Sequence, residues 1–332
     1  MNIVQFGCVG TRNYGDEVSA QNIRKMLRTI YPDAEFSIIG GSSWFLNFHH
    51  KDVKGYAHRT DKSKIQHLCK QADLFVYGAG TILTQNFMLK NPWLVDIKCP
   101  IVIWGVGCGV MTPEIMGFAS KAALISVRDK SIQYVRKAGL EAVRAFDPML
   151  ANGTPDRPKS HNAVCISWGL SKQPKALQDR VLKQLAEMIK ADTSKEWLAL
   201  PAAWEQRAIK EAFGDHDDDR YLHTELEKLC PVRVVTPDSF GHLDHMISQS
   251  AKIITSRLHV GVAGFGASVP VFWFGPDKNK VMAESLGTPK QYIGSYKTFK
   301  KTPEGITLQT GDWGLEAQTK QMQELLGKAG LL

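Results

Sequence analysis

The sequence predicts an α/β protein built from two Rossmann-like domains with parallel sheets. Three observations carry that expectation. Short apolar runs alternate with stretches of helical spacing along nearly the whole chain, which is the pattern of repeated βαβ units. The alternation comes as two successive sets, parted by the polar stretch Asn152-Gly153-Thr154-Pro155-Asp156-Arg157-Pro158-Lys159, whose Gly and Pro content reads as an interdomain linker. The length of 332 residues also suits two domains better than one. The expected domains span residues 1–152 and 160–332.

In the first set, Asn2 to Gly7 reads as a buried strand. It runs into the loop Gly7-Cys8-Val9-Gly10-Thr11-Arg12-Asn13-Tyr14-Gly15-Asp16-Glu17, and a helix follows with Ala20, Ile23, Leu27 and Ile30 on one face. Asp16 reads as the N-cap of that helix. The loop has neither the Lys-Ser/Thr ending of a P-loop nor glycines that fit G-x-G-x-x-G, so a plain βα connection explains it as well as a phosphate loop does. Glu35 to Gly40 is a second strand. The stretch from Gly41 to Arg59, with Trp44, Phe45, Phe48, His49, His50, Tyr56 and His58, reads either as an acceptor-facing loop or as a cap over the sheet edge. His49-His50 is not a metal signature, because adjacent residues do not share a helix face. Further strands are expected at Asp73 to Tyr77, Ile101 to Gly105, Leu124 to Val127 and Ala142 to Phe146. The first two are followed by Gly78-Ala79-Gly80-Thr81 and by Val106-Gly107-Cys108-Gly109, where glycine lets main chain come close to a ligand or another loop. Arg128-Asp129 and Asp147-Pro148 close the last two, and the helix between them ends at Gly139, a C′ residue.

In the second set, Ala163 to Trp168 is a strand followed by Gly169-Leu170-Ser171-Lys172. Leu177, Val181, Leu185 and Met188 mark a helix, and Trp197 to Leu200 a strand. Helices are expected over 205–213 and 220–229. Between them, Asp215-His216-Asp217-Asp218-Asp219 reads as a solvated helix cap in preference to a metal site. A strand over 232–235, a helix over 243–248, a strand over 270–274 and a terminal helix from Leu315 to Lys328 complete the pattern.

The segment Ile253-Ile254-Thr255-Ser256-Arg257-Leu258-His259-Val260-Gly261-Val262-Ala263-Gly264-Phe265-Gly266 stands apart. It reads as a buried strand, a tight turn and a helix of small residues that can press close to the sheet. A strand end running into a helix N-terminus is where an open α/β sheet places its ligand, and the unpaired N–H groups there favour an anion. Arg257 adds a permanent planar cation. His259 adds a group that trades a proton near neutral pH.

Composition bounds the function classes. The chain is 43% hydrophobic and 22% charged, ordinary for a globular protein. Its 41 Lys and Arg against 33 Asp and Glu form no dense basic block, so nucleic acid is not demanded. The excess suits an anionic small substrate, a weak approach to anionic lipid, or simply a solvated basic surface. Cys8, Cys69, Cys99, Cys108, Cys165 and Cys230 make no C-x-x-C pair, which gives no zinc signal and fits a reducing compartment. The N-terminus lacks a signal-peptide pattern, and no apolar run is long enough to cross a bilayer. The expected location is cytoplasmic, with the inner face of the membrane as an alternative, and the oligomeric state is left open.

Together, Asn13-Tyr14-Gly15-Asp16-Glu17, Gly78-Ala79-Gly80-Thr81, Ser126-Val127-Arg128-Asp129-Lys130-Ser131, Asp147-Pro148 and Ser256-Arg257-Leu258-His259, with Ala263 and Pro270, resemble the polysaccharide pyruvyltransferase family. Ala79 departs from the three glycines expected there. The resemblance covers about residues 1 to 275. It implies a fold like the two-domain GT-B glycosyltransferases, with loops of both domains at a central cleft and the acceptor on the first. It also implies transfer of pyruvate from phosphoenolpyruvate to a sugar as a ketal, with phosphate released and no cofactor beyond that co-substrate. By motif match, Arg257, Ser256 and Arg128 would bind the donor and His259 would transfer a proton. Asp16 is the candidate base. Asn13, Glu17, Gly80 and Asp147 are acceptor-side or structural.

The residue chemistry fits. Planar guanidinium groups bind phosphate and carboxylate in bidentate fashion, which removes the need for a metal. A protonated His259 could protonate the enol ether at carbon. Two alternatives stand: a GT-B glycosyltransferase using a nucleotide sugar, and a non-catalytic sugar-binding protein on the same scaffold. Trp44, Trp104, Trp168 and Trp204 are either core or sugar-stacking residues.

Overall fold

A computed structural model describes residues 1–11, 13–152, 162–169, 173–202, 219–297 and 313–332. Arg12, Trp204, most of the linker, residues 170–172, the expected helix over 205–213 and the acidic run except Asp219 lie outside the described residues. The chain divides into two compact units, Met1–Ala151 with Leu315–Leu332, and Asn152–Gly314.

The strands of the first unit are β1 (Asn2–Phe6), β2 (Glu35–Gly40), β3 (Lys54–Ala57), β4 (Leu74–Tyr77), β5 (Gly80–Leu83), β6 (Ile101–Cys108), β7 (Ala122–Val127) and β8 (Val143–Arg144). They form one sheet in the order β3-β2-β1-β4-β6-β7-β8, with β5 beside β6. Every pairing is parallel. A parallel sheet covered on both faces calls for strands that are apolar throughout, and β6 is buried at all of its positions. The order reverses between β1 and β4, so the loops after these two strands flank a topological switch point.

Helix α1 (Tyr14–Ile30) follows β1 and buries Ala20, Ile23 and Leu27, as the spacing predicts. Its N-cap is Asn13, which accepts from the Gly15 N–H at 3.3 Å. Asp16 is therefore not the cap but a buried first-turn residue. The undecided stretch from Gly41 to Arg59 folds as a short helix, α2 (Ser43–His49), capped by Ser42, and then as edge strand β3. Trp44 stays exposed and stacks on Phe48 at 5.5 Å, whereas Trp104 and Trp168 belong to the cores.

The terminal helix, Leu315–Lys328, forms where expected but not in the expected domain. Its Met322 and Leu326 are fully buried in the same cluster as Ile23, Met26 and Leu27 of α1. The Tyr31 hydroxyl donates to the Leu331 carbonyl at 2.6 Å. Burial of that apolar stripe returns the end of the chain to the first unit.

The second unit has strands β9 (Ala163–Ser167), β10 (Glu196–Ala199), β11 (Arg233–Val234), β12 (Lys252–Thr255), β13 (Val271–Phe274) and β14 (Tyr292–Gly294). All pairings are parallel, in the order β11-β10-β9-β12-β13-β14. Counted within the unit this is the Rossmann order, and its switch point lies between β9 and β12. The helix Leu258–Gly266 follows β12 and is almost wholly buried. A Cβ on Gly261 would sit 2.2 Å from the Trp273 ring, and one on Gly264 would sit 2.3 Å from the Ile253 Cδ1. The small residues are thus required by the close helix–sheet approach.

Candidate functional site

In the second unit, the turn after β12 is shaped by Thr255. Its hydroxyl donates to the Ser167 carbonyl at 2.8 Å and accepts from the Arg257 N–H at 2.9 Å. The Ser256 hydroxyl accepts from the Gly169 N–H at 3.3 Å, and the Asn279 amide donates to the Ser256 carbonyl at 2.9 Å. Ser256 is buried and joins the loops after β9 and β12, the two that flank the switch point. Arg257 is the N-cap of the helix Leu258–Gly266, and half-buried His259 stands in its first turn.

The guanidinium of Arg257 is held at one edge. Its Nε donates to Asp219 Oδ2 at 2.9 Å and its Nη2 to Asp219 Oδ1, a bidentate fork against a carboxylate. The Asp219 side chain is 1% exposed and that of Arg257 is 19% exposed. Asp219 also accepts from the Ala202 N–H at 3.1 Å. The flat face of the guanidinium lies on Gly169, where a Cβ would come within 2.3 Å of Arg257 Cζ. The Tyr296 hydroxyl donates to the Gly169 carbonyl at 3.2 Å.

His223 lies one turn after Asp219 and is fully buried, its ring 4.0 Å from that of Trp168. Burial first, and the neighbouring Arg257 charge second, push its pKa down to about 3. It is a neutral imidazole at physiological pH.

In the first unit, the loop after β4 places Gly80 against α1. Gly80 adopts φ +108, and a Cβ there would sit 3.0 Å from Asp16 Oδ1. Arg128 follows β7 and is buried. It donates from Nη1 to Asp147 Oδ2 at 2.9 Å and from Nη2 to the Thr81 hydroxyl at 3.0 Å. The Gly107 main chain lies against both Thr81 and Arg128. Asp147 also accepts from the Met149 N–H at 2.9 Å. Burial pushes its carboxyl above the usual range, and the Arg128 charge opposes that rise without cancelling it.

Glu17 points into a different, buried network. It accepts from the Thr11 N–H at 2.9 Å and lies 2.8 Å from His50 Nε2. Arg24 lies 2.7 Å from His50 Nδ1 and donates to Gln5 at 3.0 Å. A guanidinium only donates, so His50 Nδ1 accepts and its Nε2–H faces Glu17. Burial lowers the pKa of Arg24 to about 10.

The structure therefore groups Asp16 with Gly80, and Arg128 with Asp147 and Thr81, in the first unit. It groups Ser256, Arg257 and His259 in the second. Asn13 is a helix cap, and both oxygens of Glu17 are engaged inside the fold. Sequence reasoning missed Asp219, Gly169, His223 and Tyr296. Asp219 is no solvated cap, because its carboxylate is buried against Arg257. One signal for it was available: Asp219, Leu222, His223 and Leu226 share a helical face, which places both polar residues on the buried side.

Comparison with known proteins follows this geometry. The family model of polysaccharide pyruvyl transferase matches residues 13–278. No curated protein sequence matches the chain. Among solved structures, the UDP-GlcNAc 2-epimerase of Methanocaldococcus jannaschii is similar with a TM-score of 0.61 at 9% identity, over 99% of this chain and 100% of that one. The UDP-N-acetylglucosamine 2-epimerase of Rickettsia bellii gives 0.60 at 11% identity, over 99% and 96%. The S. aureus MnaA–UDP structure gives 0.56 at 11% identity, over 100% and 97%. At such identities the likeness is one of fold.

Proposed function

The chain belongs to the polysaccharide pyruvyl transferase family, and from that premise we propose that it transfers pyruvate from phosphoenolpyruvate to two hydroxyls of a glycan or carrier-linked sugar. The product is a pyruvate ketal, with release of phosphate. The observation that carries this reading is the setting of Arg257. A buried carboxylate grips its Nε/Nη2 edge at the N-terminus of a tightly packed helix, and the Nη1 edge points away from Asp219. An aimed guanidinium at a helix N-terminus suits a small dianion carrying phosphate and carboxylate.

The residues take the following roles. Arg257 holds the donor. His259, protonated, delivers a proton to the methylene carbon of phosphoenolpyruvate, leaving an oxocarbenium-like centre at the adjacent carbon. One acceptor hydroxyl adds there, phosphate departs with its C–O bond, and a second hydroxyl closes the ketal. Of the two hydroxyl protons, one restores the acid and the other leaves with phosphate. General acid catalysis is worth about 10²–10⁴-fold, so loss of His259 lowers turnover more than donor binding, while loss of Arg257 lowers both.

The test is phosphate release from phosphoenolpyruvate across a panel of glycan acceptors, with the product examined by proton NMR for a ketal methyl group. Acceptor-dependent phosphate release with that methyl signal supports the reading. A transfer that requires a uridine diphosphate sugar, and no response to phosphoenolpyruvate, replaces it with glycosyl transfer.

A further inference from the structure

A second cluster of charge lies in the first unit. A cavity of roughly 460 Å³ opens between the end of β3, the start of the helix Lys62–Gln71 and the turn after the helix Gln85–Lys90. Arg59, Lys62 and Lys90 supply cations at its wall, and Asp96 is its carboxylate. Among the described residues, Lys62 and Lys90 have no ion-pair partner. Its apolar part is Ile65, Pro92 and half-buried Trp93.

Two further features give the cavity a shape suited to a sugar. Trp93 packs on Phe6 with ring centroids 5.0 Å apart, and His58 meets the same ring at 6.2 Å. Phe6 ends β1, so the two aromatic lining residues Trp93 and His58 pack on the switch-point strand. His58 Nδ1 lies 2.7 Å from the Gly40 carbonyl. A carbonyl only accepts, so Nδ1 carries the proton. Burial and the nearby Arg59 and Lys90 charges lower the pKa of His58, which keeps the ring neutral and makes Nε2 an acceptor for a hydroxyl. The wall thus offers fixed cations, a hydroxyl acceptor and an aromatic face. Saccharides are bound through this combination of a flat apolar surface and convergent polar groups.

We propose that this cavity is a saccharide subsite for an acceptor that carries an anionic group, either a phosphate or a uronate carboxylate. Lys62, Lys90 and Arg59 take the charge, and Trp93 with Pro92 takes an apolar ring face. The word acceptor rests on the pyruvyl-transfer reading; binding of the charged sugar does not.

The experiment is isothermal titration calorimetry on the full chain with N-acetylglucosamine 1-phosphate, a galacturonic acid oligosaccharide, neutral N-acetylglucosamine and inorganic phosphate. It is run on wild type, on the double variant Lys62→Ala/Lys90→Ala and on Arg257→Ala. At least one charged saccharide is expected to bind tenfold or more tightly than both the neutral sugar and inorganic phosphate. That advantage disappears in Lys62→Ala/Lys90→Ala, whose replaced side chains are exposed and carry no packing, and it persists in Arg257→Ala. Which charged sugar wins identifies the anion. Equal binding of neutral and charged sugars, an advantage that survives the double lysine change, or one that vanishes in Arg257→Ala overturns the proposal. A chain that binds the charged sugar through the lysines but never responds to phosphoenolpyruvate keeps the cavity assignment and sinks the transfer reading.

Discussion

Asp219 grips Arg257 by the Nε/Nη2 edge of its guanidinium, and Gly169 supplies the flat surface on which that guanidinium lies. A helix residue and a loop residue thereby fix the plane and the direction of one cation at the switch point of the second sheet. Pre-organisation of this kind reduces the ordering cost of binding an anion.

Replacement of Asp219 tests the grip. Asp219→Asn keeps the volume and removes the charge that holds Arg257. Breaking a buried ion pair costs about 3–5 kcal/mol, so the variant melts well below wild type. Its stabilisation by phosphoenolpyruvate, measured against its own ligand-free midpoint, is expected to fall at least as far as a tenfold loss of affinity would produce. Asp219→Glu recovers part of the response. An undiminished response in Asp219→Asn would show that Arg257 needs no such support.

Gly169 tests the surface. A Cβ at this position would overlap the guanidinium, which is the far end of a flexible side chain and can move aside. Moving it loosens the Asp219 pair, so Gly169→Ala is expected to melt below wild type by up to the cost of breaking that pair, about 3–5 kcal/mol, and to lower affinity for phosphoenolpyruvate tenfold or more. Titration calorimetry with the folded variant decides it.

How far the sequence made this arrangement legible depended on what each residue needed from elsewhere. β6 and the segment from Ile253 to Gly266 were plain, because a fully buried strand and a close-packed helix must be apolar and small locally. Lys54–Ala57 was not, because a short edge strand with one exposed face has little apolar signal. The terminal helix was legible as an amphipathic element, but nothing in its stripe says that it covers α1. Asn13 and Asp16 are both good cap residues, and only the approach of Gly80 decides that Asp16 is turned inward. Asp219 was hidden by four polar neighbours in the run that precedes it, although its spacing to Leu222 and Leu226 pointed to the interior.

Arg128 and Asp147 form the buried pair of the first unit. Arg128→Ala leaves the Asp147 carboxyl buried without its cation, at a cost of about 3–5 kcal/mol. Burial already raises this carboxyl, and removal of Arg128 raises it further. A carboxyl with a folded pKa above its unfolded value holds its proton longer in the folded state, so its burial costs more as pH rises. The gap in melting temperature between wild type and Arg128→Ala is expected to be wider at pH 8 than at pH 5. A constant gap would mean that Asp147 does not titrate in the variant.

His223 gives the opposite limb. Its folded pKa of about 3 lies below the ordinary histidine value of 6.5. Between these values the unfolded chain binds the proton and the folded chain does not, so stability falls as pH drops below 6.5. By pH 5 the loss from this group reaches about 2 kcal/mol. His223→Phe removes the titrating group. Its melting temperature is expected to change less than that of wild type between pH 7.5 and pH 5. Parallel pH profiles would remove His223 from the acid limb.

The central claim is that Arg257 holds an anionic donor, and thermal unfolding tests it most directly. Wild type and Arg257→Ala are melted alone and with phosphoenolpyruvate, inorganic phosphate or uridine diphosphate. A ligand at 100 times its dissociation constant adds about 2.7 kcal/mol to the native state, a shift of several degrees. The account predicts that phosphoenolpyruvate stabilises wild type more than phosphate does, and that this stabilisation is lost in Arg257→Ala. Stabilisation by uridine diphosphate alone, or a phosphoenolpyruvate response that persists without Arg257, would contradict it.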